Sequence, residues 1–159
     1  MGFFGGFLYD GRSWTETDHS GMTAPSGPWL HVDIHDSDFA VLTYRPAGPG
    51  TGTAFIGYTP SVYFGEPDAS PPTDAPREAA GLAAWWSGLN PSASAADRDT
   101  MAATLLPYLA TDEPQDDEDD EDDDEFEDED EDDGTSPFVE DKVDDFLTAL
   151  GLPSFRTAP

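Results

Sequence analysis

The chain has 159 residues, a net charge of −29 at neutral pH and no cysteine. Without cysteine there can be no disulfide bond, no thiolate metal site and no cysteine nucleophile. No apolar run approaches the roughly 18 residues that cross a bilayer, and the negative charge disfavours direct binding to anionic lipid or to nucleic acid. The N-terminal residues lack the basic stretch of a signal peptide, so we expect a cytoplasmic protein with no membrane partner.

Most of the charge lies in one stretch, residues 112–133, where 19 of the 22 positions are Asp or Glu. So many like charges repel one another and leave almost nothing to bury, which predicts a disordered, extended segment. This stretch divides the chain into four predicted parts: an α+β domain (1–111), a disordered acidic linker (112–135), an amphipathic helix (136–152) and a tail (153–159).

Before the acidic stretch, the sequence alternates as antiparallel strands do. The pair Asp10-Gly11 between apolar residues predicts a hairpin with a two-residue turn. Period-two patterns then predict strands over residues 29–35, 39–45 and 53–59, and a shorter fourth over residues 62–64. Because the connections between these strands are short, we expect an antiparallel meander.

Two helices are predicted after the strands. Asp74 can cap the first, which carries an apolar face of Leu82, Trp85, Trp86 and Leu89. Ser94 with Asp97 resembles a capping box for the second, whose apolar stripe is Met101, Leu105, Tyr108 and Leu109. The predicted fold class is therefore α+β, an antiparallel β-meander with two helices on one face. Adjacent helical residues point about 100° apart, so we expect one indole in the core and Trp86 at an edge where a partner could contact it.

A third helix is predicted after the acidic stretch. Ser136-Pro137 suits its start, and Gly151 and Pro153 suit its end. Roughly 14 residues are marginal as an isolated helix in water, so its apolar stripe must dock either on residues 1–111 or in a groove of a partner. In the second case the stripe is a partner-binding surface, together with Trp86 and with Phe126, the one aromatic residue of the acidic stretch. The stripe consists of Val139, Val143, Phe146, Leu147 and Leu150.

The strand over residues 29–35 carries the strongest chemical candidates, His31, Asp33 and His35, which share one face. Two imidazoles and a carboxylate could begin a metal site, completed by His19 or Asp38, or could act as an acid–base pair. The simpler interpretation is the water-facing side of a hairpin. Because no phosphate loop or nucleophile motif accompanies them, we expect a non-enzymatic protein without a cofactor, and a metal-dependent enzyme is the minor alternative.

A basic protein partner is the simplest reason for the charge, because opposite fields raise association rates by orders of magnitude at low salt. The sequence therefore predicts an acidic binding protein that neutralises a basic partner. Two alternatives stay open: an acidic chaperone or nucleic-acid mimic for a nucleic-acid-binding protein, and a subunit of a larger assembly. A stretch that serves only to keep the protein soluble would carry the same charge.

The layout of residues 28–90 offers one further indication. The segment 29–44 is followed by a Gly-rich hairpin, a strand end at Tyr63-Phe64-Gly65 and then a helix. This order resembles that of small immunity proteins encoded beside polymorphic toxins in high-GC Gram-positive bacteria. The resemblance implies an inhibitor that binds a toxin domain and blocks its active site. Such toxins often act on nucleic acids and carry basic clefts, which would suit an acidic inhibitor.

Overall fold

The computed structural model describes residues 4–17, 23, 25–111 and 138–157. Five strands form one antiparallel sheet in the order β2-β1-β3-β4-β5, so the predicted meander is confirmed, with a hairpin added beside β3. The strands are β1 (Gly5–Tyr9), β2 (Trp14–Thr17), β3 (Trp29–His35), β4 (Phe39–Arg45) and β5 (Thr53–Ile56). The α-helices are α1 (Pro60–Phe64), α2 (Ala75–Leu89), α3 (Ala95–Leu105) and α4 (Val139–Ala149), with 3-10 turns at Leu106–Tyr108 and Phe155–Thr157. None of the helices described is long and apolar enough to cross a bilayer.

The turn between β1 and β2 is longer than the predicted two residues. Tyr9 pairs with Trp14, so four residues form the connection. The Asp10 carboxylate accepts hydrogen bonds from the backbone N–H groups of Arg12 (2.9 Å) and Ser13 (3.0 Å), and these amides hold the pKa of Asp10 below its usual range. The prediction was wrong because this side chain organises the residues ahead of it into a longer turn.

The predicted fourth strand over residues 62–64 is also wrong, because these residues belong to α1. The Thr59 hydroxyl accepts a hydrogen bond from the N–H of Val62 at 3.3 Å, and Pro60 occupies the first helical position. Gly65 ends the helix at φ +66°. A capping threonine, an N-terminal proline and a terminal glycine define a one-turn helix, and they outweigh the strand preference of Val, Tyr and Phe.

One face of the sheet carries the core, and the predicted helices cover it. Leu30, Val32 and Ile34 alternate along β3 and are at most 1% exposed. Leu82 and Trp85 of α2 are equally buried, and the Trp85 indole donates a hydrogen bond to the Trp29 carbonyl at 3.0 Å. The capping residue of α2 and the capping box of α3 are present as predicted. Trp85 therefore fills the core position expected for one of the two indoles.

Helix α4 docks on the same core, which is the first of the two alternatives for the terminal helix. Its five stripe residues are 0–1% exposed: Val139, Val143, Phe146, Leu147 and Leu150. The N–H of Val139 donates to the Ser37 carbonyl at 2.9 Å, which fixes the start of α4 against the turn between β3 and β4. The helix begins three residues after the predicted Ser136, which lies outside the described residues, and its N-cap Phe138 makes no side-chain capping bond. Gly151 at φ +75° ends it as predicted.

The chain after α4 also packs on the sheet, although the sequence predicted only a tail from residue 153. Phe155 is 2% exposed, and its ring lies 4.7 Å from that of Phe7 between centroids. The Trp14 indole donates to the Pro153 carbonyl at 2.8 Å, and Arg156 forms an ion pair with Asp141 at 2.6 Å. The described part of the chain on both sides of the acidic stretch thus shares one core.

Candidate functional site

The structure places the three residues that were candidates for metal or acid–base chemistry in different surroundings along β3. His31 is 2% exposed, and its Nε2 lies 3.2 Å from the Thr17 hydroxyl. The burial of His31 contradicts the simpler interpretation, in which this side of the strand faces water along its whole length. Asp33 and His35 are half-buried near the end of β3. Within the described residues no group of three His, Cys, Asp or Glu side chains could hold a metal ion, and His19, suggested as a further ligand, lies outside them.

The predicted partner-binding residues do not form one surface. The five stripe residues of α4 contact the core of this chain and would have to leave it before they could bind a partner. Trp86 is half-buried and packs against the same core. Phe126 lies outside the described residues. The structure instead brings together a different set of aromatic side chains.

Six rings meet at one end of the sheet, where β3 ends, β4 begins and α1 follows β5. We call this group the aromatic end cluster: Phe4, His35, Phe39, Tyr58, Tyr63 and Phe64. His35 is central, with its ring centroid 4.9 Å from that of Phe39 and 5.0 Å from that of Phe4. The rings of Tyr63 and Phe64 lie 5.8 and 5.9 Å from His35, edge to face. Such tilted contacts are the favoured geometry for aromatic pairs.

Local sequence explains how the cluster is assembled. The turn between β3 and β4 places Asp36 and Ser37 at φ +52° and +58°, which brings the strand ends beside each other. The short helix α1 then adds Tyr63 and Phe64 above them. The Tyr63 hydroxyl donates a hydrogen bond to the Asp38 carboxylate, and this bond raises the pKa of Tyr63. A carboxylate of the turn is therefore attached directly to the cluster.

This end of the molecule holds most of the exposed large apolar side chains. Of the five such residues in the described part of the chain, Phe4, Tyr58, Phe64 and Phe138 are 47–56% exposed and lie in or beside the cluster, and the fifth is Leu106. Phe138 belongs here because the next residue, Val139, hydrogen-bonds to Ser37 in the same turn. Exposed aromatic groups gathered in one place are typical of interaction surfaces.

Acidic side chains border the cluster. A groove of about 630 Å³ beside it is lined by Phe4, His35, Asp33 and Thr17. Glu16 also borders the groove, but its side chain starts from the opposite face of the sheet, because Glu16 pairs with the core residue Phe7. Gly6 also lines this groove and contributes no side chain. The groove therefore combines ring surface with negative charge, which are the two features that bind cationic groups.

The acidic stretch is joined to the described structure on both sides, and one junction lies at the cluster. Before it, the N–H of Ala110 donates to the Phe55 carbonyl of β5 at 2.7 Å. After it, Phe138 lies beside the turn between β3 and β4. The predicted acidic linker itself lies outside the described residues. The described chain on either side of it is held to the sheet, at Phe55 of β5 and at Ser37 of the turn between β3 and β4.

A second cavity, of about 300 Å³, lies between β5 and the start of α2. Its one buried acid is Glu78, which accepts hydrogen bonds from the Thr51 N–H (2.8 Å), the Thr51 hydroxyl (2.6 Å) and the Tyr44 hydroxyl. Burial, and then the Glu78 carboxylate, raise the pKa of Tyr44 far above its usual value. These groups satisfy one another, so they hold the Gly/Pro loop of residues 46–52 against α2.

The aromatic end cluster was not predicted from the sequence. The available signal was Thr59-Pro60 followed by Gly65, which marks a short helix and would have placed Tyr63 and Phe64 on it.

Comparisons with protein-family models, with curated proteins and with solved structures found no match.

Proposed function

We propose that this chain is a non-enzymatic, cytoplasmic binding protein that neutralises a basic protein partner, in the manner of an immunity-type toxin inhibitor. One observation carries the proposal: a segment with 19 acidic residues is joined at both ends to a single folded core, beside a cluster of exposed aromatic side chains. The acidic segment supplies long-range attraction, and the aromatic side chains supply a surface on which a partner can dock.

Because both ends of the acidic segment are joined to the folded core, a specific partner is favoured over non-specific attraction of basic proteins. A free acidic tail would attract any basic protein in the same way at any point along its length. Here the chain on both sides of the segment belongs to one core, so the segment is a tethered second contact for any partner that docks on that core. A partner that contacts both regions binds more tightly than one that contacts the acids alone.

The acidic density also supports the second candidate, a chaperone or nucleic-acid mimic for a nucleic-acid-binding protein. The two candidates differ in how they respond to competitors. A mimic is displaced by polyanions such as heparin, because its contacts are mainly electrostatic. An inhibitor that also docks its aromatic side chains resists that competition, since apolar contacts do not weaken in the presence of a polyanion.

The experiment is an affinity capture of the tagged full-length protein from its native lysate, washed at low and then at high salt. The matched control is a variant of the same length in which the 19 acids of residues 112–133 are changed to Asn and Gln. We expect one basic partner in stoichiometric amount that survives high salt, binds the control variant more weakly and loses its own activity in the complex. A mixture of basic proteins released by salt, or no partner, would overturn the proposal.

A further inference from the structure

We propose that the groove beside the aromatic end cluster binds an arginine side chain of the basic partner, between the rings of Phe4 and His35 and the carboxylate of Asp33. This inference rests on the proposed function and deepens it, because it assigns the docking surface and the chemistry that the surface recognises. It begins with the exposure of Phe4, which is 56% accessible although it is a phenylalanine in contact with another ring.

The side chains that line the groove suit a planar cation. The face of an aromatic ring is negative and attracts a cation placed over it, and arginine makes such contacts more often than lysine. A guanidinium can stack on a ring while its N–H groups donate to carboxylates in the plane of the guanidinium, which an ammonium cannot do as well. Phe4 and His35 supply rings, and Asp33 supplies a carboxylate, along the same groove.

The charge of the molecule decides between occupants of this surface. A second copy of the chain would bring another 29 negative charges to the interface, and like-charge repulsion disfavours that association. Asp36 and Asp38 of the adjoining turn add to the negative charge at the cluster. A basic protein is attracted by the same charges, so it is the occupant that the surface fits.

The acidic stretch and the groove have separate roles in this arrangement. The described chain resumes at Phe138, after the stretch and beside the turn that carries the cluster, so a partner drawn to the stretch arrives near the groove. Attraction of that kind is not selective for arginine and is screened by salt. Stacking and directed hydrogen bonds in the groove distinguish a guanidinium from other cations and are less sensitive to salt.

The test uses a short blocked peptide of arginine and glycine, and a control peptide in which citrulline replaces each arginine. Citrulline keeps the planar group and removes the charge. The protein is the full chain with the 19 acids of the stretch changed to Asn and Gln, so that the stretch no longer binds the peptide. NMR signals of backbone amides and aromatic rings are followed during the titration. If this variant does not fold, the unmodified protein is titrated at high salt instead.

We expect the arginine peptide to shift the signals of Phe4, Asp33 and His35, and the citrulline peptide to bind about tenfold more weakly. Phe4→Ala should lower the affinity of the arginine peptide about two- to fivefold. The matched control is Leu106→Ala, which removes another exposed apolar side chain outside the cluster and should leave the affinity of the arginine peptide unchanged. Equal binding of both peptides, or shifts spread over the molecule, would overturn the assignment.

The same variants separate this inference from the proposed function. If a basic partner is captured and Phe4→Ala binds it as tightly as the unmodified protein does, the groove is not the docking site and the proposed function stands. If no basic partner is captured, the proposed function fails, and the peptide titration still decides whether the groove recognises arginine.

Discussion

At the scale of single residues, Glu78 shows how a buried carboxylate can be structural. It is 5% exposed, and its hydrogen-bond partners Thr51 and Tyr44 are neutral donors. Glu78→Ala leaves these donors without an acceptor, and we expect it to lower the free energy of unfolding by about 1–3 kcal/mol. Chemical denaturation followed by circular dichroism measures this, with the exposed Glu66→Ala as control. Equal midpoints for the two variants would contradict the structural role.

The same contact predicts how stability responds to alkaline pH. The pKa of Tyr44 is raised in the folded state, so the unfolded chain loses this proton first as the pH rises. The stabilisation that the protonated Tyr44 hydroxyl gives the folded state is complete below its unfolded pKa of about 10 and is lost as the pH rises above that value. Denaturation between pH 9 and 11 should show a free energy of unfolding that falls with pH. For Tyr44→Phe, this free energy should fall less steeply with pH. The same slope for the variant and the unmodified protein would contradict the prediction.

The aromatic end cluster marks the limit of prediction at this scale. The ring of His35 was singled out from the alternation of β3, and its position at the end of that strand followed correctly from the sequence. Its neighbours Phe4, Tyr63 and Phe64 come from two other segments, one before β1 and one after β5. Which of them meet depends on the strand order and on the direction of α1, neither of which is encoded by spacing within one segment.

At the scale of elements, α2 contains two glycines in different surroundings. A Cβ at Gly81 would overlap the Tyr44 hydroxyl and lie 2.9 Å from the Ala47 carbonyl oxygen, whereas a Cβ at Gly88 would meet no atom within 4 Å. Alanine is favoured over glycine in a helix interior by about 1 kcal/mol. We therefore expect Gly88→Ala to stabilise the protein by up to about 1 kcal/mol and Gly81→Ala to destabilise it.

Thermal unfolding of both variants beside the unmodified protein tests this pair. Because the two substitutions are chemically identical and lie in one helix, intrinsic helix propensity alone would shift both melting temperatures upward. A rise in both would show that the close packing of α2 on the Gly/Pro loop relaxes without cost. A fall for Gly81→Ala and a rise for Gly88→Ala would confirm the tight contact.

The elements differ in how well the sequence predicts them. The bounds of β3 follow from its alternation, and the turn Asp36-Ser37-Asp38 marks where β4 begins. Capping residues identify α2 and α3 in the same way. Helix α1 was missed because Val62, Tyr63 and Phe64 favour strands, and only the residues at its two ends indicate a helix. Its five residues are too few for a helical period to become visible.

At the scale of the whole molecule, α4 joins a segment beyond the acidic stretch to the core of the first domain. Phe146 is fully buried, whereas Phe138 on the same segment is 54% exposed. Phe146→Ala should lower the free energy of unfolding by about 3–5 kcal/mol, and Phe138→Ala should change it little. If α4 belongs to the core, tryptophan fluorescence and circular dichroism report one shifted transition for Phe146→Ala. Separate transitions would show that the sheet folds without the helix.

The docking of α4 also determines how the net charge acts on stability. Because residues on both sides of the acidic stretch belong to one core, folding brings together the two parts of the chain that flank 19 carboxylates and that are themselves acidic. Mutual repulsion then opposes the compact state. The screening length falls from about 30 Å at 0.01 M salt to about 8 Å at 0.15 M. We therefore expect the melting temperature to rise with sodium chloride over this range.

The variant with Asn and Gln throughout residues 112–133 provides the control for this salt dependence. It keeps the length of the stretch and removes its charge, so its melting temperature should be higher at 0.01 M salt and should rise less as salt is added. If the unmodified protein and the variant respond equally, repulsion within the stretch must be as strong in the unfolded chain as in the folded one. The charge would then influence association with a basic partner without affecting the stability of the fold.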